Sequence, residues 1–567
     1  MSQFRLLVRT FFERFFDNEL VSSAIELRQA LIFLLALLTI LPAFVAMGSM
    51  GGYMFVSRRT PWMLERFSWP HKLFFITYSM MIVGVAAVMV WDSLTIDRRD
   101  AMILGSLPLR GRTIVSAKLG ALLAFLLLLA IAVNVPSAFV YASEFADLRP
   151  PGFFARAVGA QLAGTVAAAA WVFTTLIALQ GLLSALPRRL RSVITILFQA
   201  LFVATLFSMI ALMPVGLRAT VGAFQAMDAS AARTMSLVPP VWFLGLYETL
   251  LGSPRPLFHR MASIAAGALT MSSVAAVLVT AGAYVHQLRY AVETAVAPSA
   301  AGSLLARARA LALRACARTP DTRAALSFTL ISMARSRKHQ LLLAAYAGAG
   351  LALVTAALVH GAARGGVASL ARPRVAVLWI PLVMMLWLLV GLRAAFRMPT
   401  ELAASWTFHV NASGPASAYA PAARSAAALI VVAPVLTIAL VGYTWLFGWT
   451  IAAIHVAFCG LMGATLLEVL LARFDQIPFT RAYEAGRANL RVWWPVYVFG
   501  LEAYAHWPVY LEQWMFRQPG RSIDVLLVMT AAWLAVRWCC RRSISKTSAL
   551  VFEVRPDPVL TSLELSG

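Results

Sequence analysis

Apolar runs long enough to cross about 30 Å of hydrocarbon recur along the whole chain. The first six lie near Ala30 to Val56, Leu73 to Trp91, Leu119 to Tyr141, Val158 to Leu186, Val193 to Val215 and Met261 to His286. After a basic interval they resume near Leu341 to His360, Val375 to Phe396, Ala426 to Phe447, Trp449 to Leu471, Trp493 to Leu511 and Ile523 to Trp538. The runs are continuous rather than alternating, and a lipid-exposed backbone must satisfy its own hydrogen bonds, so they read as helices and not as barrel strands. The pattern predicts an all-α polytopic membrane protein with about 12 transmembrane helices. The abutting pair around Phe447 and Trp449 is the least distinct division.

Ahead of the first run, Phe4, Leu7, Val8, Phe11, Phe12, Phe15 and Phe16 repeat at helical spacing, with Arg5, Arg9 and Glu13 on the opposite face. This predicts an amphipathic helix in the membrane interface; a short helix packed on the protein is the alternative. The first apolar run is too long for the core of a signal peptide and reads as a span.

Six runs on each side of a basic interval predict two halves, residues 1–290 and 326–542, joined by a basic cytoplasmic linker, 291–325, and followed by a tail, 543–567. The halves share an arrangement rather than letters. In each, the second span ends in polar residues, an amphipathic stretch follows, and a third span begins. This occurs at Trp91 to Lys118 and again at Arg397 to Arg424. Two unrelated loops of similar length would look the same.

Composition agrees with the pattern: 61% of the residues are hydrophobic, 13% are charged and the mean hydropathy is +0.78. A formal net charge of +24 would suggest nucleic-acid binding in a soluble protein. Here the cations are scattered among short loops, where they face anionic lipid and set topology, so lipid and not nucleic acid is the expected partner. An even number of spans with the N-terminus inside puts the larger share of Lys and Arg on the cytoplasmic side, including Arg307, Arg309, Arg314, Arg318, Arg323, Arg335 and Arg337. Both termini are expected in the cytoplasm. Arg58, Arg59, Arg66 and Lys72 run against this orientation. Arginine so far outnumbers lysine, which occurs only at Lys72, Lys118, Lys338 and Lys546, that a GC-rich bacterial coding bias and a bacterial inner membrane are expected.

Chemistry by the chain itself has no visible home. There is no G-x-x-x-x-G-K-[S/T] loop to cradle nucleotide phosphates, no H-E-x-x-H, no G-x-S-x-G and no compact metal-binding cluster. Cys316, Cys459, Cys539 and Cys540 have neither C-x-x-C spacing nor a disulfide framework. No catalytic residue, cofactor or metal is expected.

The most informative polar break is WDSLTIDRRDAMILGSLPLRGRTIVSAKL, Trp91 to Leu119. Acidic residues leave the second span, an apolar turn follows, Leu107-Pro108-Leu109 interrupts it, and Lys118 re-enters the membrane. The segment resembles the loop between the second and third spans of type-2 ATP-binding-cassette exporter permeases. The resemblance covers about thirty residues and the six-span plan of each half. It implies that Asp97, Arg98, Arg99 and Asp100, with Leu107 and Pro108, form a coupling helix that docks a separate ATP-binding-cassette ATPase subunit. The second half offers FRMPTELAASWTFHV, with Pro399, Glu401 and Trp406 but no Leu-Pro-Leu step, a weaker version of the same element. An ordinary amphipathic interfacial loop is the alternative.

Three further features invite a role. Arg473 to Arg491 is too polar to face lipid and is either a solvated connector or another partner contact. PPVWFLGLYETLLG, Pro239 to Gly252, places Trp242, Phe243, Tyr247 and Leu251 at the outer face, as aromatic anchors or as an exit lip for an amphiphile. Glu468, Glu502, Asn134, His455 and His506 fall within or near spans, where ionisable groups often carry function; Glu468 and Arg473 are spaced to pair with each other.

The leading expectation is a permease-like subunit of an ATP-binding-cassette exporter, moving an amphiphilic or lipid-like cargo with ATP hydrolysed in trans. A secondary transporter driven by an ion gradient is the alternative, followed by a membrane-embedded lipid-linked glycosyltransferase.

Overall fold

The computed structural model describes residues 3–13, 39–40, 42–49, 52–56, 64–94, 104, 107–143, 152–184, 188–211, 237–293, 313–314, 316–317, 319–398, 416–472, 474, 476–480 and 500–544. Every regular element among them is helical. Nine of the helices among these residues are long and apolar enough to cross a membrane, so this is an all-α, multi-pass membrane protein. Pro42–Val56 and Ile194–Leu206 are shorter apolar helices, and the run near Trp493 to Leu511 is described only from residue 500. The chain divides into two compact units, Met1–Ala297 and Pro298–Gly567.

The first unit contains α1 (Gln3–Glu13), α2 (Leu64–Met89), α3 (Gly111–Ser143), α4 (Phe153–Ser184), α5 (Arg188–Ala211), α6 (Pro239–Leu251) and α7 (Pro256–Glu293). Helix α4 is the hub, packed against α2, α3, α6 and α7. Its buried faces are lined by Ala157, Ala160, Ala168 and Ala169, and small side chains let helix backbones approach where water supplies no hydrophobic drive. Helices α6 and α7 approach closely. A methyl on Gly245 would stand 2.8 Å from the Phe258 carbonyl oxygen and 2.4 Å from the Met261 Cβ. Polar links cross the unit's interior. Asn134 Nδ2 donates to Ser79 Oγ at 2.8 Å, Ser79 Oγ donates to the Thr165 carbonyl at 3.2 Å, and Thr174 and Ser272 share a hydrogen bond of 2.8 Å. Asn134 therefore ties α3 to α2. Asn134→Ala is expected to cost about 0.6–2 kcal/mol, the range of hydrogen bonds between membrane helices, read as a small fall in thermal stability in detergent.

Helix α1 lies on the protein at the start of α3. Leu7 and Phe11 are buried, Val8 and Phe4 meet α3 at Gly120, and the Lys118 ammonium sits 5.0 Å from the centroid of the Phe11 ring. Phe4 and Leu6 remain exposed, while Arg9 pairs with Glu13. The apolar face is thus shared between the protein and its surroundings. Phe15 and Phe16 lie outside the described residues.

The second unit contains α8 (Pro320–Arg335), α9 (Arg337–Gly365), α10 (Ile380–Phe396), α11 (Ala416–Ala427), α12 (Ala433–Phe447), α13 (Trp449–Leu470), α14 (Trp507–Arg517) and α15 (Pro519–Ile544). Helix α8 starts inside the basic interval. Thr319 caps it by accepting from the Thr322 amide, Pro320 occupies the first turn, and Ala325, Leu326, Thr329 and Met333 are buried. A π-helical turn, Ala428–Val432, runs α11 into α12. The pair predicted to abut is a helical hairpin. Gly448 takes φ 84°, a left-handed angle that suits glycine, and Leu436 then packs on Gly460 and Val432 on Gly463 across the antiparallel seam.

Candidate functional site

At the end of the first unit opposite α1, a cavity of about 180 Å³ opens among α2, α4 and α6. One face of α2 contributes Leu64, Glu65, Ser68 and Lys72, the first turns of α4 contribute Phe153 and Ala157, and α6 with its C-terminal turn contributes Tyr247, Glu248, Leu251 and Ser253. The spacing from Glu65 to Ser68 to Lys72 is that of one helical face. Helix α6 starts on Pro239 and stops on Gly252, whose φ of 88° turns the chain back towards α7. That turn holds Ser253 over the cavity.

Its floor is charged. Lys72 Nζ donates to Glu248 Oε1 at 2.6 Å, with only 6% and 3% of the two side chains exposed, and lies 4.9 Å from the Tyr247 ring centroid. The Tyr247 hydroxyl donates to Gln161 Oε1 at 3.4 Å. Burial foremost, then the charge of Glu248, pushes this phenol well above its usual range, so it remains a neutral donor. At the rim, Arg255 Nη2 donates to Glu65 Oε2 at 3.1 Å while the guanidinium covers Trp69, and Ser253 Oγ reaches Glu65 Oε1 at 3.4 Å. Arg156 Nε donates to the Leu250 carbonyl, tying α4 to the end of α6. Arg255 Nη1 and Thr249 Oγ1 are buried without a partner among the described residues. A pocket with a charged floor and walls of Leu64, Phe153, Ala157 and Leu251 suits a molecule with a polar head and an apolar body.

The aromatic segment Pro239 to Gly252 is thus a packed helix and not a set of lipid anchors: Phe243 and Tyr247 are fully buried, and Trp242 stands edge-on to Trp171. Lys72, counted in sequence among the cations opposing the topology, is neutralised by Glu248. Both ion-paired residues interrupt apolar stretches, the signal by which they are found in retrospect.

The residues expected to dock an ATPase are mostly beyond description. Asp97, Arg98, Arg99 and Asp100, and in the second unit Pro399, Glu401 and Trp406, lie outside the described residues. Leu107 and Pro108 are described and exposed. The Leu109 amide donates to the Leu107 carbonyl, and Arg110 then accepts the first amide bonds of α3. At the same end of the unit, the Gln180 side chain of α4 donates to the Trp91 carbonyl where α2 finishes.

The polar residues expected within spans do not converge. Glu468 pairs with Arg424, whose Nε donates at 2.8 Å and whose Nη2 donates to the Leu471 carbonyl; Arg537 stands 3.9 Å from its other oxygen. Arg473, the partner suggested by spacing, lies outside the described residues. Glu502 is exposed on a π-helical turn, Glu502–His506. His506 bonds the Tyr510 hydroxyl, and His455 bonds Glu512, which the sequence did not mark. The polar segment after α13 also begins inside the protein: Phe474, Ile477, Phe479 and Thr480 are buried, and the Phe479 amide donates to the Phe396 carbonyl at 3.0 Å.

No family model, no curated protein and no solved structure matches this chain. No group of three or more His, Cys, Asp or Glu among the described residues is arranged to hold a metal ion.

Proposed function

We propose that the chain is a permease-like subunit of an ATP-binding-cassette exporter in a bacterial inner membrane, with both termini in the cytoplasm and about 12 spans in two six-span halves. The observation that carries this reading is the polarity of the first unit. At one end, α1 is clamped to the start of α3 beside the exposed Leu107-Pro108 break, and Lys118 lies beneath it. At the other end is the charged cavity beneath α6. Force received by the segment Trp91 to Lys118 is directed into α2 and α3, and α2 carries Glu65 and Lys72 at its far end.

A two-half design has support from a second repeated arrangement. Directly before its last long helix, each unit has a short helix with proline in its first turn and a buried glutamate bonded to a basic side chain of an earlier helix. These are α6 with Glu248 on Lys72, and α14 with Glu512 on His455.

In operation, nucleotide binding by separate ATPase subunits displaces the docking elements, and the helices exchange between states open to either side of the membrane. The cavity receives the polar head of an amphiphile while its tail follows the apolar helix surfaces. The test is movement of a short-chain fluorescent phospholipid in inverted vesicles containing the chain and its native membrane partners. Movement that requires ATP is expected. Equal movement by the purified chain, with neither ATP nor an ATPase, contradicts the proposal.

A further inference from the structure

In the second unit, His455 of α13 and Glu512 of α14 face each other with no side-chain exposure on either residue. His455 Nδ1 is hydrogen-bonded to Glu512 Oε1, while Glu512 Oε2 has no partner among the described residues. Among the described residues, the groups that touch the pair are neutral. Cys459 Sγ of α13 is 3.8 Å from both ring nitrogens, and the Tyr443 ring of α12 is 4.3 Å from the imidazole centroid, its hydroxyl donating to the Val377 carbonyl. Tyr504, on the turn before α14, belongs to the same apolar cluster, and its buried hydroxyl has no partner. The nearby charged residues of α14 and α15, Arg517, Arg521 and Asp524, are exposed, as is Glu502; His506 is occupied with Tyr510 and Trp379. The pair lies about two helical turns from the Gly448 hairpin.

We propose that His455 and Glu512 form a binding site for one proton, closed by α14 against α13, whose proton exchanges with water only when α14 moves away.

With one shared proton the pair is neutral overall, whether that proton sits on the carboxyl or on the ring. With none it carries a net negative charge, and with two a net positive one, and neither has a counter-charge in the cluster. An uncompensated charge in an apolar interior is disfavoured by several kcal/mol, so the closed site keeps one proton. A carboxyl and an imidazole that are fully hydrated titrate at about 4.3 and about 6.5. Above about pH 6.5 the open site therefore holds no proton while the closed one holds one, and rising pH favours opening by about tenfold per pH unit. Between those two values both forms hold one proton, and pH leaves the balance unchanged. The vacant Glu512 oxygen supplies an acceptor for the water that delivers the proton. The site does not depend on what drives transport.

Cys459 reports opening, because it is fully buried when the site is closed. The experiment uses the full chain in lipid vesicles with Cys316, Cys539 and Cys540 changed to serine, and follows labelling of Cys459 by a small maleimide across pH. Thiolate formation raises the rate with pH in every variant, so variants are compared as ratios. Glu512→Gln has no titrating carboxyl and keeps the hydrogen bond. The ratio of wild type to E512Q is expected to rise about tenfold per pH unit above about pH 6.5. His455→Gln leaves the carboxyl as the sole proton holder. Its ratio to wild type is expected to rise from about pH 4.3 and level off near about pH 6.5. The second ratio stands by itself if E512Q does not fold. Ratios that stay flat across these intervals overturn the assignment.

Discussion

Glu248→Ala is expected to destabilise the first unit by about 3–5 kcal/mol, because removing one member of a buried ion pair leaves the other charge without compensation. Lys72 has no route to water by snorkelling: only 6% of its side chain is exposed, and Tyr247 covers the ammonium. Lys72→Met is expected to be similarly damaging, since it strands the Glu248 carboxylate. The double variant Lys72→Met/Glu248→Leu removes both charges and fills similar volume, and it should recover most of the loss, since replacing a whole buried pair by apolar side chains is often neutral or favourable. Thermal unfolding in detergent checks all three. If the single variants match the wild type, the pair is not buried in the membrane protein. If the double variant is stable but moves no amphiphile, the pair serves the cavity and not the fold.

The second large effect is expected at Phe479. Its ring stands edge-on to Phe396 at 5.6 Å and to His339 at 4.5 Å, and is buried to 1% exposure. The residue also holds φ at 70°, the left-handed region that bulky side chains avoid. A conformation of that kind persists only where its surroundings fix it. The ring packing, the amide bond to Phe396 and the His339 bond to the Met398 carbonyl together supply that constraint. Phe479→Ala removes the packing and keeps the backbone strain, so a loss of about 3–5 kcal/mol is expected, as for other buried aromatic truncations. It should appear as a marked fall in unfolding temperature, with Phe479→Leu intermediate.

Hydropathy located the long helices because lipid imposes length and apolarity on any helix that crosses it. Val375 to Phe396 and Trp449 to Leu471 were placed within a residue of the helices observed. The division between Phe447 and Trp449 was the least distinct in the sequence; in the fold it is made by Gly448, whose φ is 84°. The charged partnerships were not legible. Lys72 and Glu248 are 176 residues apart, and a hydropathy profile treats each as a mark against a span without pointing to the other. Glu512 stands just beyond the end predicted for a span, Leu511, and the sequence did not mark it. Glu468 had Arg473 nearby in sequence, yet α11 brings Arg424 to it. Phe474, Ile477 and Phe479 are interleaved with polar residues at no regular period, so nothing in the pattern announced that this segment folds inward.

The most direct test of the account is purification of the full chain from its native membranes in mild detergent, followed by identification of what accompanies it. An ATP-binding-cassette ATPase subunit is expected to co-purify with the wild type and to be lost from the variant Asp97→Lys/Asp100→Lys, while the chain itself remains folded. A wild-type chain that comes away with no ATPase, or a charge-reversed variant that retains it in full, would contradict the account.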